Sequence, residues 1–213
     1  MTPWLLVPVK SIATGKSRLS PFLENSTRRQ LNELFLYRAI ETASEFPGHD
    51  HAAFISECDE VIAMVEAYGF LAIRQIGGAG LNAAATQGVA ELRRRDARPV
   101  LLLPCDEPTV RPEDLRRIAA LGATSGGIVI CPDKHGSGTN ALYLPPDARI
   151  EFQFGEQSLA RHCREARRIG CALTVHYDPR IAFDIDAPQD LATWTGRQPL
   201  HDGANPLNFC PQP

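Results

Sequence analysis

The strongest constraint on this chain is the way short apolar runs alternate with stretches of helical periodicity almost from end to end. Strand-length runs fall at 4–9, 52–56, 70–75, 99–104, 127–131, 140–144, 172–177 and 181–185. Between the first two, Leu31, Leu34, Phe35, Ala39, Thr42, Ala43 and Phe46 trace one stripe over 27–46, with Thr27 and Gln30 spaced as a capping box. Further helices are expected at 59–68, 81–95, 112–121 and 158–169, three of them closed by Gly69, Gly122 and Gly170, with a short one after Pro188. Strands that alternate with helices build βαβ units around a mainly parallel sheet. Val100-Leu-Leu-Leu103 is apolar on both faces, as a central strand covered on both sides must be. The 213 residues suffice for one such α/β domain, expected over 1–195. They leave an aperiodic, Pro-rich tail at 196–213, read as a terminus or a strap across the surface.

Charge and composition exclude several functions. A formal net charge of −3 leaves no basic excess to neutralise a nucleic-acid backbone. The Arg93-Arg94-Arg95 run reads as a solvated helix end, where cations complement the dipole. No basic leader precedes the first apolar run, and nothing approaches the roughly 20 apolar residues of a membrane span. Cysteines at 58, 105, 131, 163, 171 and 210 show no C-x-x-C pairing, so they read as reduced thiols rather than a disulfide or zinc framework. A cytoplasmic protein is expected.

Three segments carry the charges that chemistry would use. The run Trp4–Val9 empties into Lys10-Ser-Ile-Ala-Thr-Gly15-Lys16-Ser-Arg18-Leu19. Loops at the carboxyl ends of parallel strands are where α/β sheets take nucleotides, and three cations there suit a polyphosphate. The spacing is not G-x-x-x-x-G-K-[ST], so this is no ordinary P-loop. Gly15 lets the backbone approach a ligand closely; a merely solvated loop is the plainer alternative. Asp106 follows the central run in Pro104-Cys-Asp106-Glu107-Pro108 and offers the hard oxygens Mg²⁺ prefers. Pro108 and Pro112 move the next helix start to about Arg111, so Asp106 is not its cap. In Phe183-Asp184-Ile185-Asp186, strand alternation puts both aspartates on one side, where with Asp106 they form a metal cluster. Alone, an aspartate before a helix is usually a cap.

Other segments offer anion sites. In His135-Gly136-Ser137-Gly138-Thr139-Asn140 the glycines leave backbone N–H groups free to converge on an anion. Phe154-Gly155, with Ser158 opening a helix, offers a second such site, although a turn plus a cap accounts for either piece separately. Gly77-Gly78-Ala79-Gly80-Leu81-Asn82 is not G-x-G-x-x-G and lacks an acidic partner about 20 residues on, which disfavours a hydride-transfer cofactor. Asn82 either reads a base edge or caps its helix. His49 and His51 read as solvated, and His162 and Cys163 as exposed helix surface.

Taken in order, Val7-Pro8-Val-Lys10 with Lys16-Ser-Arg18-Leu19, Gly80-Leu81-Asn82, Gly138-Thr139-Asn-Ala-Leu142, Phe154-Gly155 with Ser158, and Asp184-Ile-Asp186-Ala-Pro188 resemble one family over about 4–191. It is the guanylyltransferases of deazaflavin-coenzyme biosynthesis, within the nucleotidyltransferase superfamily that includes the molybdenum-cofactor guanylyltransferases. The resemblance implies a Rossmann-like three-layer α/β/α sandwich with a mostly parallel sheet, similar to nucleotide-diphospho-sugar transferases. It implies GTP contacts at Val7, Pro8, Lys10, Lys16, Arg18, Gly80, Leu81 and Asn82. It likewise implies acceptor contacts at Thr139, Gly155 and Ser158, and one or two Mg²⁺ ions on Asp106, Asp184 and Asp186. Two positions depart from the family pattern: Asp106-Glu107-Pro108 where Asp-Leu-Pro is usual, and Gly136-Ser137-Gly138-Thr139 where Gly-Thr-Gly-Thr is usual.

The implied reaction is in-line attack by the phosphate of a small three-carbon acid on the α-phosphorus of GTP, expelling pyrophosphate. Lys10, Lys16, Arg18 and Asp106 are the catalytic candidates, the three cations stabilising the leaving group. Phospholactate, phosphoenolpyruvate and phosphoglycerate remain equal as acceptors. Another nucleotidyltransferase, for molybdopterin or a sugar phosphate, and a non-catalytic GTP-binding module are the alternatives. The first usually starts with a Gly-rich loop that is missing here, and the second has no use for three metal-binding aspartates. A homodimer and hand-over of the product to the next transferase of the pathway are further expectations.

Overall fold

Every residue of the first strand, β1 (Trp4–Pro8), is buried, and its alternate side chains belong to two different cores. Leu5 and Val7 face one side of the sheet, Trp4 and Leu6 the other. The same alternation holds in β2 (Ala52–Ser56), β4 (Val100–Leu102), β5 (Ile128–Pro132) and β6 (Thr139–Leu144). Both faces must therefore be covered. The first is packed by α1 (Asn25–Glu45), α2 (Asp59–Ala67) and α4 (Pro112–Ser125). The second is packed by α3 (Leu81–Arg95) and α5 (Ser158–Arg168). The result is a three-layer α/β/α sandwich. It is a computed structural model that describes residues 1–197, and the predicted tail lies outside them except for its first two residues.

With β3 (Leu71–Arg74) and β7 (Leu173–Val175) added, seven strands form one sheet in the order β3-β2-β1-β4-β6-β5-β7. Four of the six pairings are parallel; β6 runs antiparallel to both β4 and β5. The reversal follows from loop length. Residues 133–138 are far too few for the crossover that a parallel neighbour needs, so β5 and β6 close as a hairpin. This has a consequence for position. Thr139 and Asn140, at the start of β6, lie at the same sheet edge as the carboxyl ends of β1 and β4.

Several local expectations are corrected. The run 181–185 is not a strand. Its backbone is satisfied elsewhere: Asn140 donates to the Ile181 carbonyl at 2.9 Å, Lys134 to that of Asp184 at 3.0 Å, and the Ile185 N–H donates to the Asp106 carbonyl at 3.4 Å. The helix α1 starts at Asn25, with Glu24 at its N-cap and Thr27 inside its first turn, so the Thr27/Gln30 capping box is not formed. Gly122 does not stop α4, which runs on to Ser125 and ends at the left-handed Gly126. Gly122 is there because the Tyr143 ring lies where a side chain would be, with a Cβ only 2.1 Å from it. Arg93 is not solvated but reaches the carbonyls of Pro145 and Ala148 at 3.3 and 2.5 Å. The last helix, α6 (Pro188–Arg197), crosses the expected boundary at 195/196. No described helix is long and apolar enough to cross a membrane.

A third, smaller core packs Leu19, Leu31, Leu34, Phe35, Phe183, Ile185 and Trp194 together. It joins the loop after β1, α1, the 183–185 segment and α6. Trp194 is fully buried, its ring 5.9 Å from that of Phe35 in an edge-on contact. Because Trp194 is the largest side chain of this core and fully buried, Trp194→Ala is expected to destabilise the protein by about 3–5 kcal/mol in urea unfolding. Trp194→Phe should cost much less, since the buried indole N–H has no hydrogen-bond partner among the described residues.

His162, expected on an exposed helix surface, is fully buried. Its Nε2 accepts the Gln153 backbone N–H at 3.1 Å, and its Nδ1 lies 3.0 Å from the Thr139 hydroxyl. An Nε2 that accepts a backbone N–H cannot carry a proton, so the ring is the neutral Nδ1–H tautomer. Burial, opposed by the nearby Glu165 carboxylate, pushes its pKa down to about 4. The folded value lies below the unfolded one, so His162 contributes stability above about pH 6.5 that is lost as pH falls towards 4. The loss is roughly 3 kcal/mol. Urea unfolding from pH 7 to 4 should show a drop that shrinks by about this amount in His162→Asn; an equal drop in both proteins would contradict it.

Candidate active site

The sheet order reverses direction between β1 and β4: β2 and β3 lie to one side, and β6, β5 and β7 to the other. Loops leaving the carboxyl ends of such neighbours diverge and leave a crevice. A cleft of about 630 Å³ opens there. Of the residues singled out in the sequence, Pro8, Lys10, Lys16, Arg18, Gly80, Leu81, Asp106, Thr139, Gly155, Asp184 and Asp186 line it. Val7, Asn82 and Ser158 do not. Val7 is fully buried in the core. Asn82 neither reads the cleft nor caps its own helix: its side chain donates to the Phe154 carbonyl at 3.3 Å and accepts the Phe154 N–H at 2.7 Å. Ser158 is buried in the first turn of α5.

The loop after β1 turns sharply at Lys16, a non-glycine residue in the left-handed region (φ 54°). That turn sends the side chain inward, where it is 7% exposed. The ammonium bonds Asp106 at 2.8 Å and Asp186 at 3.3 Å and sits 5.7 Å over the Phe35 ring. Burial alone would lower its pKa, but the two carboxylates outweigh this and hold it above the ordinary lysine value. Arg18 pairs with the other oxygen of Asp186 at 2.9 Å and is mostly exposed. Lys10 also lines the cleft and has no carboxylate within salt-bridge reach among the described residues. Gly15 approaches the Asn32 side chain rather than open space, since a Cβ there would lie 2.7 Å from it.

Asp106 is fixed by its place after β4. Burial would raise its pKa, but Lys16 and Lys10 bring it below the usual carboxylate value. Its neighbour Glu107 is buried, with one carboxylate oxygen that has no hydrogen-bond partner among the described residues. Burial, reinforced by Asp106 and Asp184, pushes that carboxyl far above its usual range. Asp184 is also raised, by burial and by Asp186 and Asp106, against the pull of Lys134. Asp106, Glu107, Asp184 and Asp186 thus share one end of the cleft, and of these Glu107 and Asp184 resist ionisation.

The strand expected to carry Asp184 and Asp186 is replaced by a pinned loop. Asp190 accepts the backbone N–H groups of Asp186 and Ala187 at 3.0 and 2.8 Å, and its second oxygen takes the Lys134 ammonium at 2.5 Å. Lys134 also lies 3.5 Å from the Asp184 carboxylate. Lys134 and Asp190 were not foreseen as part of the site. The available signals were a lysine beside a glycine-rich loop and an acidic residue in the first turn after Pro188. The loop over 133–138 is not the open anion cradle expected of it, because the Asp133 carboxylate accepts the N–H groups of Ser137 and Gly138 at 2.8 Å each. Gly155 does face the cleft, with φ +114°, a conformation only glycine holds without strain.

Whether these residues suit a metal ion is a matter of donors and spacing. Asp106, Asp184 and Asp186 supply only hard oxygens, the ligands of Mg²⁺ or Mn²⁺. Among the described residues no three acidic, histidine or cysteine side chains are placed to hold a metal ion as they stand, so the expected cluster of Asp106, Asp184 and Asp186 is not assembled. Lys16 stands between Asp106 and Asp186 as a cation, and Lys134 beside Asp184. A divalent ion therefore fits the charge of this end of the cleft, in competition with an ammonium.

Comparison with known proteins adds to this geometry. Residues 4–195 match the family model for guanylyl transferases described as CofC-like. A phosphoenolpyruvate guanylyltransferase of Rubrobacter xylanophilus is 34% identical over 192 residues, 90% of this chain and 93% of that one. A 2-phospho-L-lactate guanylyltransferase of Methanobrevibacter ruminantium is 30% identical over 199 residues, 88% of this chain and 82% of that one. Among solved structures, a Desulfovibrio desulfuricans G20 protein described as a nucleotide-diphospho-sugar transferase aligns with a TM-score of 0.73 at 14% identity, over 92% of this chain and 87% of that one. The manganese complex of Rv0371c from Mycobacterium tuberculosis aligns with a TM-score of 0.56 at 18% identity, over 93% and 100%. These structures share the fold, and the sequence matches go further: this chain belongs to the CofC-like guanylyl transferase family and is a nucleotidyltransferase.

Proposed function

We propose that the protein transfers GMP from GTP to the phosphate of a small phosphorylated three-carbon acid and releases pyrophosphate, in the pathway to a deazaflavin coenzyme. The observation that carries this reading is the gathering in one cleft of Lys10, Lys16 and Arg18 with Asp106, Asp184 and Asp186, at the point where the sheet order reverses. Phosphoenolpyruvate is the preferred acceptor in this reading, because a relative bearing that name reaches 34% identity, against 30% for the relative named for phospholactate.

The chemistry asks little of a base. A phosphate monoester has a second pKa near 6, so the attacking oxygen is mostly ionised at neutral pH. The barrier is electrostatic, since two anions approach and a third departs. Lys10 and Arg18, at the mouth of the loop after β1, attract and orient the triphosphate, and Lys16 adds charge as pyrophosphate leaves. Asp106, Asp184 and Asp186 would hold Mg²⁺, which when bound supplies charge neutralisation at the phosphate oxygens. The manganese bound to the Rv0371c protein supports divalent-metal use without choosing between the two ions. Thr139 and Gly155 also line the cleft and suit the acid acceptor. Ser158, buried behind them, would act through the loop that it ends.

Pyrophosphate release measured with GTP, Mg²⁺ and a panel of phosphoenolpyruvate, 2-phospholactate and 3-phosphoglycerate tests the reading. Release should require an acceptor and be fastest with phosphoenolpyruvate, and no release with any of the three would overturn it. Asp106→Asn is expected to lower turnover on the order of 10²-fold while keeping the native circular-dichroism spectrum. Wild-type turnover in that variant at saturating Mg²⁺ would remove Asp106 from the mechanism.

A further inference from the structure

His162 does not line the cleft, yet it touches the two segments that present Thr139 and Gly155 to it. Its Nδ1 lies 3.0 Å from the hydroxyl of Thr139, on β6, and its Nε2 accepts the N–H of Gln153, two residues before Gly155. Its ring also stacks edge-on against Phe154, with centroids 4.8 Å apart. From the other side, Asn82 holds both backbone groups of Phe154. The loop that presents Gly155 is therefore clamped between α3 and α5, and one imidazole links it to Thr139.

The direction of these bonds matters more than their number. Gln153 can only donate, so Nε2 accepts and the ring proton sits on Nδ1. Nδ1–H then donates to the Thr139 oxygen. With that oxygen engaged as an acceptor, its own proton is free to turn towards the cleft that Thr139 lines. We infer that His162 is a positioning residue that commits the Thr139 hydroxyl to donate a hydrogen bond to the anionic acceptor, while holding the Gly155 loop at a fixed distance from it. The inference rests on the acceptor reading given above for what fills the cleft, but not for the hydrogen-bond directions themselves.

The hydrogen-bond directions are tested in the free protein by ¹⁵N NMR of the His162 imidazole. A protonated Nδ1 and an unprotonated Nε2 at pH 7 are expected, and the opposite tautomer overturns the proposal. Function is tested with His162→Gln and His162→Asn. The Asn amide nitrogen falls near the place of Nδ1 and keeps the donor to Thr139, whereas Gln mimics Nε2 and loses it. His162→Gln should raise the KM for the acceptor about ten- to a hundredfold, the value of one hydrogen bond to a charged group, with the KM for GTP within about twofold. His162→Asn should recover most of the loss. The double variant with Thr139→Val should be no worse than Thr139→Val alone. Equal rises in both KM values, or independent losses in the double variant, mean that His162 only stabilises the fold, and the proposal fails. If His162→Gln does not fold, Thr139→Ser against Thr139→Val keeps the question open to refutation: Ser must retain the acceptor KM and Val must not. Should the enzyme use none of the three-carbon acids but another phosphorylated acceptor, the functional reading falls. The same KM comparison with that acceptor, together with the tautomer, then decides the role of His162 separately.

Discussion

One buried ammonium holds the site together. Lys16 bonds Asp106 and Asp186, and so ties the loop after β1, the loop after β4 and the segment before α6, which are up to 170 residues apart in sequence. Taking a charge out of water is costly unless it is paired, and removing one partner of a buried pair leaves the other exposed to that cost. The protein meets the cost with two carboxylates and with the Phe35 ring beneath the charge. The rest of the site is arranged around that point: Arg18 shares Asp186, the Ile185 N–H reaches the Asp106 carbonyl, and the third core packs Leu19 and Phe35 against Phe183 and Ile185.

This arrangement places charges of both signs where a nucleotidyl transfer needs them. The carboxyl end of the cleft holds Asp106, Glu107, Asp184 and Asp186; burial, reinforced by neighbouring carboxylates, raises the pKa of Glu107 and Asp184. A cation there relieves the crowding, and in the protein by itself Lys16 and Lys134 do so. Glu107 stands directly after Asp106, the residue proposed to bind metal. Its buried, partly unpartnered carboxyl adds to that crowding.

Much of the fold was legible because it is written in local periodicity. The central run Val100-Leu103 and the helical stripe from Leu31 to Phe46 are burial patterns, and burial in a doubly covered sheet leaves no polar alternation to misread. What the sequence obscured are features decided by distant partners. The run 181–185 has strand composition, yet its backbone groups are claimed by Asn140, Lys134 and the Asp106 peptide, so it never joins the sheet. His162 sits among arginines on a polar-looking helix, and only the approach of β6 and the 152–155 loop buries it. The reversal of β6 was the one topological feature within reach, since the six residues from Asp133 to Gly138 are too few for a crossover. Of the candidate site residues, those on loops at the sheet edge do line the cleft, while Val7, Asn82 and Ser158 lie in the core or in supporting positions.

The central claim is that the acceptor's own phosphate oxygen attacks the α-phosphorus of GTP in this cleft. It is tested most directly with phosphoenolpyruvate whose phosphate oxygens carry ¹⁸O, followed by ³¹P NMR of the products. Attack as described forms a bond from a labelled oxygen to the GMP phosphorus and breaks the bond to pyrophosphate. The bridge of the new diphosphate should then carry ¹⁸O, and the pyrophosphate should be unlabelled. Label in the released pyrophosphate, or an unlabelled bridge, would contradict the account.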